Sequence, residues 1–139
     1  MEGASLARQV PYQGIALQRA ATATGAGTTA DVSGLHGAQV VELSNTGTGS
    51  AIGTLLGSFD GVNWYTIRYS VLGSGTTSPV STTASQPTAA VAALTVAAAG
   101  SAGAIQIITL LDYYPKVQFS ISTANAGCSL NATLHALPV

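Results

Sequence analysis

The sequence predicts an all-β protein, an antiparallel β-sandwich or jelly roll of about eight short strands. Three observations carry that expectation. Apolar and polar residues alternate with period two over much of the chain, cleanest in Val117, Phe119 and Ile121 against Lys116, Gln118, Ser120 and Ser122. Turn-forming clusters of Gly, Asn, Ser and Thr recur at strand-and-turn spacing, roughly every 8–12 residues. No stretch carries a firm helical period.

Residues 1–18, with Pro11, Tyr12 and Gly14, show no sustained period. They read as an extended N-terminal arm or an edge strand, since proline is tolerated at sheet edges. The β-sandwich domain is expected over 19–139. Arg19 to Thr29 opens it, with a turn at Gly25-Ala26-Gly27, and Ala38 to Asn45 alternates with Gln39, Val41, Leu43 and Asn45 on one face. Thr46-Gly47-Thr48-Gly49 is a turn by composition.

Ala51–Phe59 and Asn63–Leu72 read as a hairpin about Asp60-Gly61, because that dipeptide suits a type I′ turn with both central residues at positive φ. Tyr65, Ile67 and Tyr69 would share one strand face, with Trp64 a core plug at the hairpin's exit. Residues 73–87 form a long Gly/Ser/Thr/Pro connection, functional or with a short strand of its own. Thr88–Ala99 suits helix by its alanines and strand by Val91, Leu94, Thr95 and Val96, and both stay open. Ala104–Leu111, Pro115–Thr123 and Cys128–Ala136 complete the strands.

Composition narrows function. Only 6% of the 139 residues are charged, against a typical ~25%, and the net charge is -1. Without a basic footprint, no nucleic-acid partner is expected. So weak a charge favours association, hence a subunit of a homo-oligomer or larger assembly. The apolar run 89–99 is far below the ~20 residues of a membrane span. The start Met1-Glu2-Gly3-Ala4 lacks a basic-then-apolar leader, so synthesis in the cytoplasm without export is expected. Cys128 stands alone and reads as a small buried hydrophobe.

Chemistry-bearing residues are few. Asp60 and Gly61 belong to the turn, with the Asp60 carboxylate expected to take nearby backbone N–H groups. Asp112 precedes Tyr113-Tyr114-Pro115 as a loop residue. His36 lies in a loop and His135 on the polar face of the last strand, neither with a second ligand at metal spacing. Gly47-Thr48-Gly49-Ser50-Ala51-Ile52-Gly53 opens a strand and lacks a following lysine, so no phosphate site is expected. No nucleophile elbow occurs. The chain is therefore read as no enzyme, with no catalytic residues, metal, cofactor or small-molecule substrate. Trp64, Tyr65, Tyr69, Tyr113 and Tyr114 remain as a stacking platform or as interface anchors.

Gly34 to Tyr69, with Gly57-Ser58-Phe59-Asp60-Gly61-Val62-Asn63-Trp64-Tyr65-Thr66-Ile67 at its centre, resembles a pattern of small β-sandwich structural proteins of tailed bacteriophages. Tyr114-Pro115-Lys116-Val117-Gln118-Phe119-Ser120-Ile121-Ser122 is similar to their closing strands. Where that family often has an arginine after Tyr-Pro, this chain has Lys116 or Gln118, so no salt bridge is carried over. The resemblance implies a virion protein of the decoration (cement) or head-fibre type. It would be a non-enzymatic subunit, commonly a trimer, on the outer surface of the major capsid protein lattice. Alternatives are a carbohydrate- or receptor-binding fibre domain and a neck or tail attachment subunit. Pro11, Tyr12 and Ile15 of the arm, with Tyr113 and Tyr114, are the expected partner contacts.

Overall fold

The computed structural model describes residues 13–35, 37–74 and 93–136. Ten strands form two antiparallel sheets packed face to face as a β-sandwich: β1 (Gln13–Ala21), β2 (Ala30–Asp31), β3 (Gln39–Asn45), β4 (Ala51–Ser58), β5 (Tyr65–Thr66), β6 (Tyr69–Ser74), β7 (Leu94–Val96), β8 (Ile105–Leu110), β9 (Lys116–Ala124) and β10 (Leu130–Ala136). One sheet runs β1-β10-β3-β8-β6; the other runs β2-β9-β4-β5, with β7 also on β4. β5 pairs with Leu56–Gly57 and β7 with Ala51–Gly53, so both share the edge of β4 that faces away from β9.

The pairing is nested: β1 with β10, β2 with β9, β3 with β8 and β4 with β7. A long antiparallel ribbon folded across two sheets gives this order, which is the jelly-roll wrap. β5 and β6 are an excursion at the ribbon's tip. The sequence alternation anticipates about eight strands; the nested pairs supply eight, and β5 and β6 bring the number to ten.

Alternation maps onto burial where strands are long. Val41 and Leu43 of β3, Leu55 of β4, Phe119 and Ile121 of β9, and Leu130 and Leu134 of β10 all enter one core. Buried glutamines tie the sheets together. Gln18 Nε2 donates from β1 to Phe119 O of β9 at 2.7 Å, and Gln106 Nε2 from β8 to Thr95 O of β7 at 2.7 Å. Each satisfies a buried polar group that would otherwise cost stability. Gln118, expected on an outer face, is also buried. Cys128 is buried among these residues.

Of the two readings of the N-terminal stretch, residues 13–18 take the edge-strand one: they begin β1, whose Leu17 is fully buried and whose Ile15 packs against the core. Its register slips twice, and Ala20 sits at φ 45°, with its N–H on Asn131 Oδ1. Such bulges twist an edge away from further pairing. Pro11 and Tyr12 lie outside the described residues, as do His36 and 75–92.

The strand expected over 63–72 is broken. Tyr65–Thr66 stays beside β4, the chain crosses at Ile67–Arg68, and Tyr69–Ser74 joins β8 in the opposite sheet. Ile67 is fully buried at the crossing, and its N–H donates to Leu55 O at 3.1 Å. Trp64 is only half-buried; Phe119 fills the centre instead. Finally, Leu94–Val96 of the ambiguous segment is strand.

Candidate functional site

The jelly-roll wrap sorts the loops into two groups. At one end lie β2–β3 (32–38), β4–β5 (59–64) and β8–β9 (111–115), together with the 67–68 crossing. Gln13 and Ala136, the first and last described residues, pair with each other at this same end. Exposed large hydrophobic residues concentrate here: Phe59, Val62 (77% exposed), Tyr65, Leu111 and Tyr113. So do Asp31, Asp60, Arg68, Asp112 and Lys116, leaving Arg19 and Glu42 as the other charged residues among those described.

Tyr114 is the hub of the aromatic group. Its ring centroid lies 5.1 Å from Phe59, tilted by 47°, and 6.3 Å from Tyr65, nearly parallel at 16°. Both spacings are within the usual range for aromatic pairs. Gly57 and Tyr65 are cross-strand partners, and any Cβ at Gly57 would collide with the Tyr114 ring. The missing side chain is what lets the ring lie down over β4. Tyr114 thereby closes this end of the core, while Phe59 and Tyr65 stand out beside it. Tyr113 points elsewhere; its hydroxyl donates to Val32 O at 3.1 Å.

The Asp60-Gly61 loop is wider than a type I′ turn. Gly61 has φ 80°, but Asp60 does not take positive φ, and pairing resumes only at Gly57–Tyr65. Asp60 itself organises the loop. Its Oδ1 accepts from Val62 N–H and Asn63 N–H, both at 2.8 Å, and from the Ser58 hydroxyl; Oδ2 accepts from Asn63 Nδ2. Ser58 Oγ in turn accepts Gly61 N–H at 2.8 Å. The Asn63 and Val62 amides hold the Asp60 carboxyl well below the ordinary carboxylate range.

The sequence gives no hint of the next two pairings, because each joins distant segments. Arg68 clasps Asp112 through Nη2 at 2.6 Å and Nε at 3.0 Å, and its own amide donates to Asp112 Oδ2. Leu111 N–H returns a bond to Arg68 O at 2.9 Å. The guanidinium lowers the Asp112 pKa, and the carboxylate raises that of Arg68. Lys116 meets Asp31 at 3.3 Å, so a salt bridge does occur at the position where none was carried over. Asp31 also accepts from the Ser33 hydroxyl at 2.6 Å and the Ser33 amide, and these bonds, with Lys116, bring it down to about 2. The three carboxylates at this end are therefore bound internally. The end turns outward both apolar side chains and these internally paired charges, with the Arg68 side chain 56% and that of Asp31 59% exposed.

Among the described residues, no group of three or more His, Cys, Asp or Glu could hold a metal. His135, next to last in β10, lies on the strand's outer face, 3.3 Å from Glu42. Beside Tyr113 a cleft of about 400 Å³ opens, lined by Gly37, Ala38, Gln39, Leu110, Leu111 and Asp112.

Comparison with known proteins finds no matching family model, no matching curated protein and no matching solved structure.

Proposed function

We propose that this chain is a non-enzymatic structural protein of a phage virion, docking through its aromatic end onto the outer surface of a major capsid protein lattice and stabilising it. The observation that carries this reading is that five of the seven exposed large hydrophobic residues among those described, Phe59, Val62, Tyr65, Leu111 and Tyr113, gather at one end, with Ile105 and Ile107 of β8 the other two. Contiguous apolar surface rimmed by polar residues marks a contact site, and Tyr and Phe are favoured at interface centres. The loops presenting these side chains are tied down by Asp60, by Arg68–Asp112 and by Tyr113, so little order is lost on docking.

A ligand that binds only the assembled lattice stabilises it by mass action, by about 2.7 kcal/mol at a hundredfold excess over Kd. β1 starts at this same end; Pro11 and Tyr12 lie outside the described residues, and with Ile15 they are proposed as contacts to a neighbour, whether the major capsid protein or another copy in a trimer.

The rival is a sugar-binding fibre domain using Tyr65 and Tyr113 with Trp64. A stacked sugar needs polar groups free beside the ring. Here Asp60 and Asp112 already hold internal partners, which favours a protein contact.

The test mixes purified protein with capsids of the encoding phage that lack it, followed by sedimentation and electron microscopy. Regular density at repeated lattice positions is the expected result. Density only at a tail or a single vertex would replace the decoration role with attachment, and no capsid binding would remove both.

A further inference from the structure

The loop between β4 and β5 holds the one Asp-Gly pair of the chain, Asp60-Gly61. That dipeptide carries a chemical liability. Glycine has no Cβ to keep its amide nitrogen away from the preceding carboxyl carbon. The nitrogen can attack Cγ of the neutral acid; the Cγ–O bond breaks, and the hydroxyl leaves with the amide proton as water. Water then opens the cyclic imide at either carbonyl. Opening at the side-chain carbonyl restores aspartate; opening at the main-chain carbonyl gives isoaspartate, which adds a methylene to the backbone. The water released is consumed again, so no other reactant is needed.

The loop's own conformation demands both residues. Gly61 stands at φ 80°, where a residue with a Cβ is strained. Asp60 supplies the acceptor for the Val62 and Asn63 amides. Burial offers no protection, because residues 59–63 are all exposed to water.

Three features oppose ring closure instead. Oδ1 is held by the Val62 and Asn63 amides and Oδ2 by Asn63 Nδ2, all at 2.8 Å. The carboxyl cannot swing onto Gly61 N without giving up bonds at both oxygens. Ser58 Oγ, fully buried, accepts the Gly61 N–H at 2.8 Å and donates to Oδ1 at 3.1 Å, so the attacking nitrogen's proton is engaged. These same donors favour the carboxylate over the reactive neutral acid.

We propose that Asp60-Gly61 is a latent isomerisation site, locked in the folded chain by Ser58 and Asn63 and released when this loop opens. Conversion lengthens the backbone of the loop that presents Phe59 and Val62 and removes the carboxylate from its amides.

The test ages the full chain in water enriched in heavy oxygen at about pH 5, where an ordinary aspartate is partly protonated. One sample is folded, and one is unfolded in guanidinium chloride. Each passage through the imide leaves one heavy oxygen on residue 60, and chromatography of the digested chain separates isoaspartate from aspartate. The unfolded chain is expected to label at Asp60 at least about tenfold faster than the folded one. Folded Ser58→Ala and Asn63→Ala should each label about threefold faster than the native chain, or more. Unchanged amide exchange at Gly47 and Ser129 in those variants would show that this loop alone has opened.

Equal labelling of folded and unfolded chains would overturn the proposal, as would unchanged labelling in both folded variants. Slower labelling in Ser58→Ala would also overturn it, by making that hydroxyl a carrier of the Gly61 proton to Oδ1 rather than a lock. If neither variant folds, the ratio between the unfolded and folded native chain decides alone. A failure of capsid docking would leave each of these results unchanged.

Discussion

The two ends of this sandwich are built on opposite principles. At the end formed by 22–29, 46–50, 97–104 and 125–129, the loops bond to one another through backbone. Thr48 N–H donates to Gly127 O, Ala99 N–H to Gly47 O, and Asn125 N–H to Ser50 O. Asn45, 3% exposed, stands at their centre. Its Nδ2 donates to Gly49 O at 2.7 Å and Ala97 O at 3.0 Å, while its Oδ1 accepts from Gly47 N–H and Ser129 N–H. These loops carry no charged side chain, and the exposed large hydrophobic at this end is Ile105, where β8 begins.

The opposite end adds side chains to its backbone bonds. Carboxylates hold its loops, a tyrosine roofs its core, and its apolar groups face outward. The contrast teaches a division of labour. Backbone bonding is indifferent to side-chain type and, with Asn45 at its centre, closes an end built of small and neutral residues, which leaves most of the scarce charged and aromatic residues to the other end.

If that division holds, the largest effect on stability belongs to Asn45→Ala. Losing the side chain leaves buried donors and acceptors unmet and should lower unfolding stability by about 3 kcal/mol in a denaturant titration, with lattice binding of the folded protein unchanged. A loss well under 1 kcal/mol would show that the backbone bonds close this end without it.

Phe59→Ser combined with Val62→Ser should behave in the reverse way. Capsid binding falls about thirtyfold, as for an interface hot spot, while unfolding stability moves by no more than about 1 kcal/mol. Equal losses in both measurements would make these residues part of the fold.

Gly57→Ala tests the seam between the two roles. Its methyl group strikes the Tyr114 ring and should cost about 1–2 kcal/mol by overpacking. In a Tyr114→Ala background the same substitution should cost much less, because the obstacle is gone.

The smallest effect is local and acid-dependent. Asp31, Asp60 and Asp112 all titrate below their ordinary values in the folded chain. A lowered folded pKa contributes stability that is complete above the unfolded value and fades as pH falls through the folded one. Between about pH 4 and about pH 2, amide protection (exchange relative to the intrinsic rate) should therefore fall at Ser33 before it changes at Gly47 or Ser129, with Val62 and Asn63 following at lower pH. Simultaneous loosening at both ends would remove the carboxylates from their holding role.

Much of the fold was legible in the chain because period-two alternation reports burial directly. Val117, Phe119 and Ile121, like Leu130, Ala132 and Leu134, could face inward together only as strands against a core. The Asp60 loop was legible in part, since a carboxylate bonding the next few amides is a local event.

The rest depended on residues far apart in sequence. Alternation continues through Tyr65, Ile67 and Tyr69, yet the chain changes sheets there because Asp112 and Leu111, from another loop, take up the backbone of Arg68. Trp64 gave way to Phe119 as the core's centre because jelly-roll nesting puts β9, not the exit of the 59–64 loop, in the middle of its sheet. Local periodicity determined which residues go inside. Only long-range pairing decided which of the two ends would gather the aromatics, the ion pairs and the cleft.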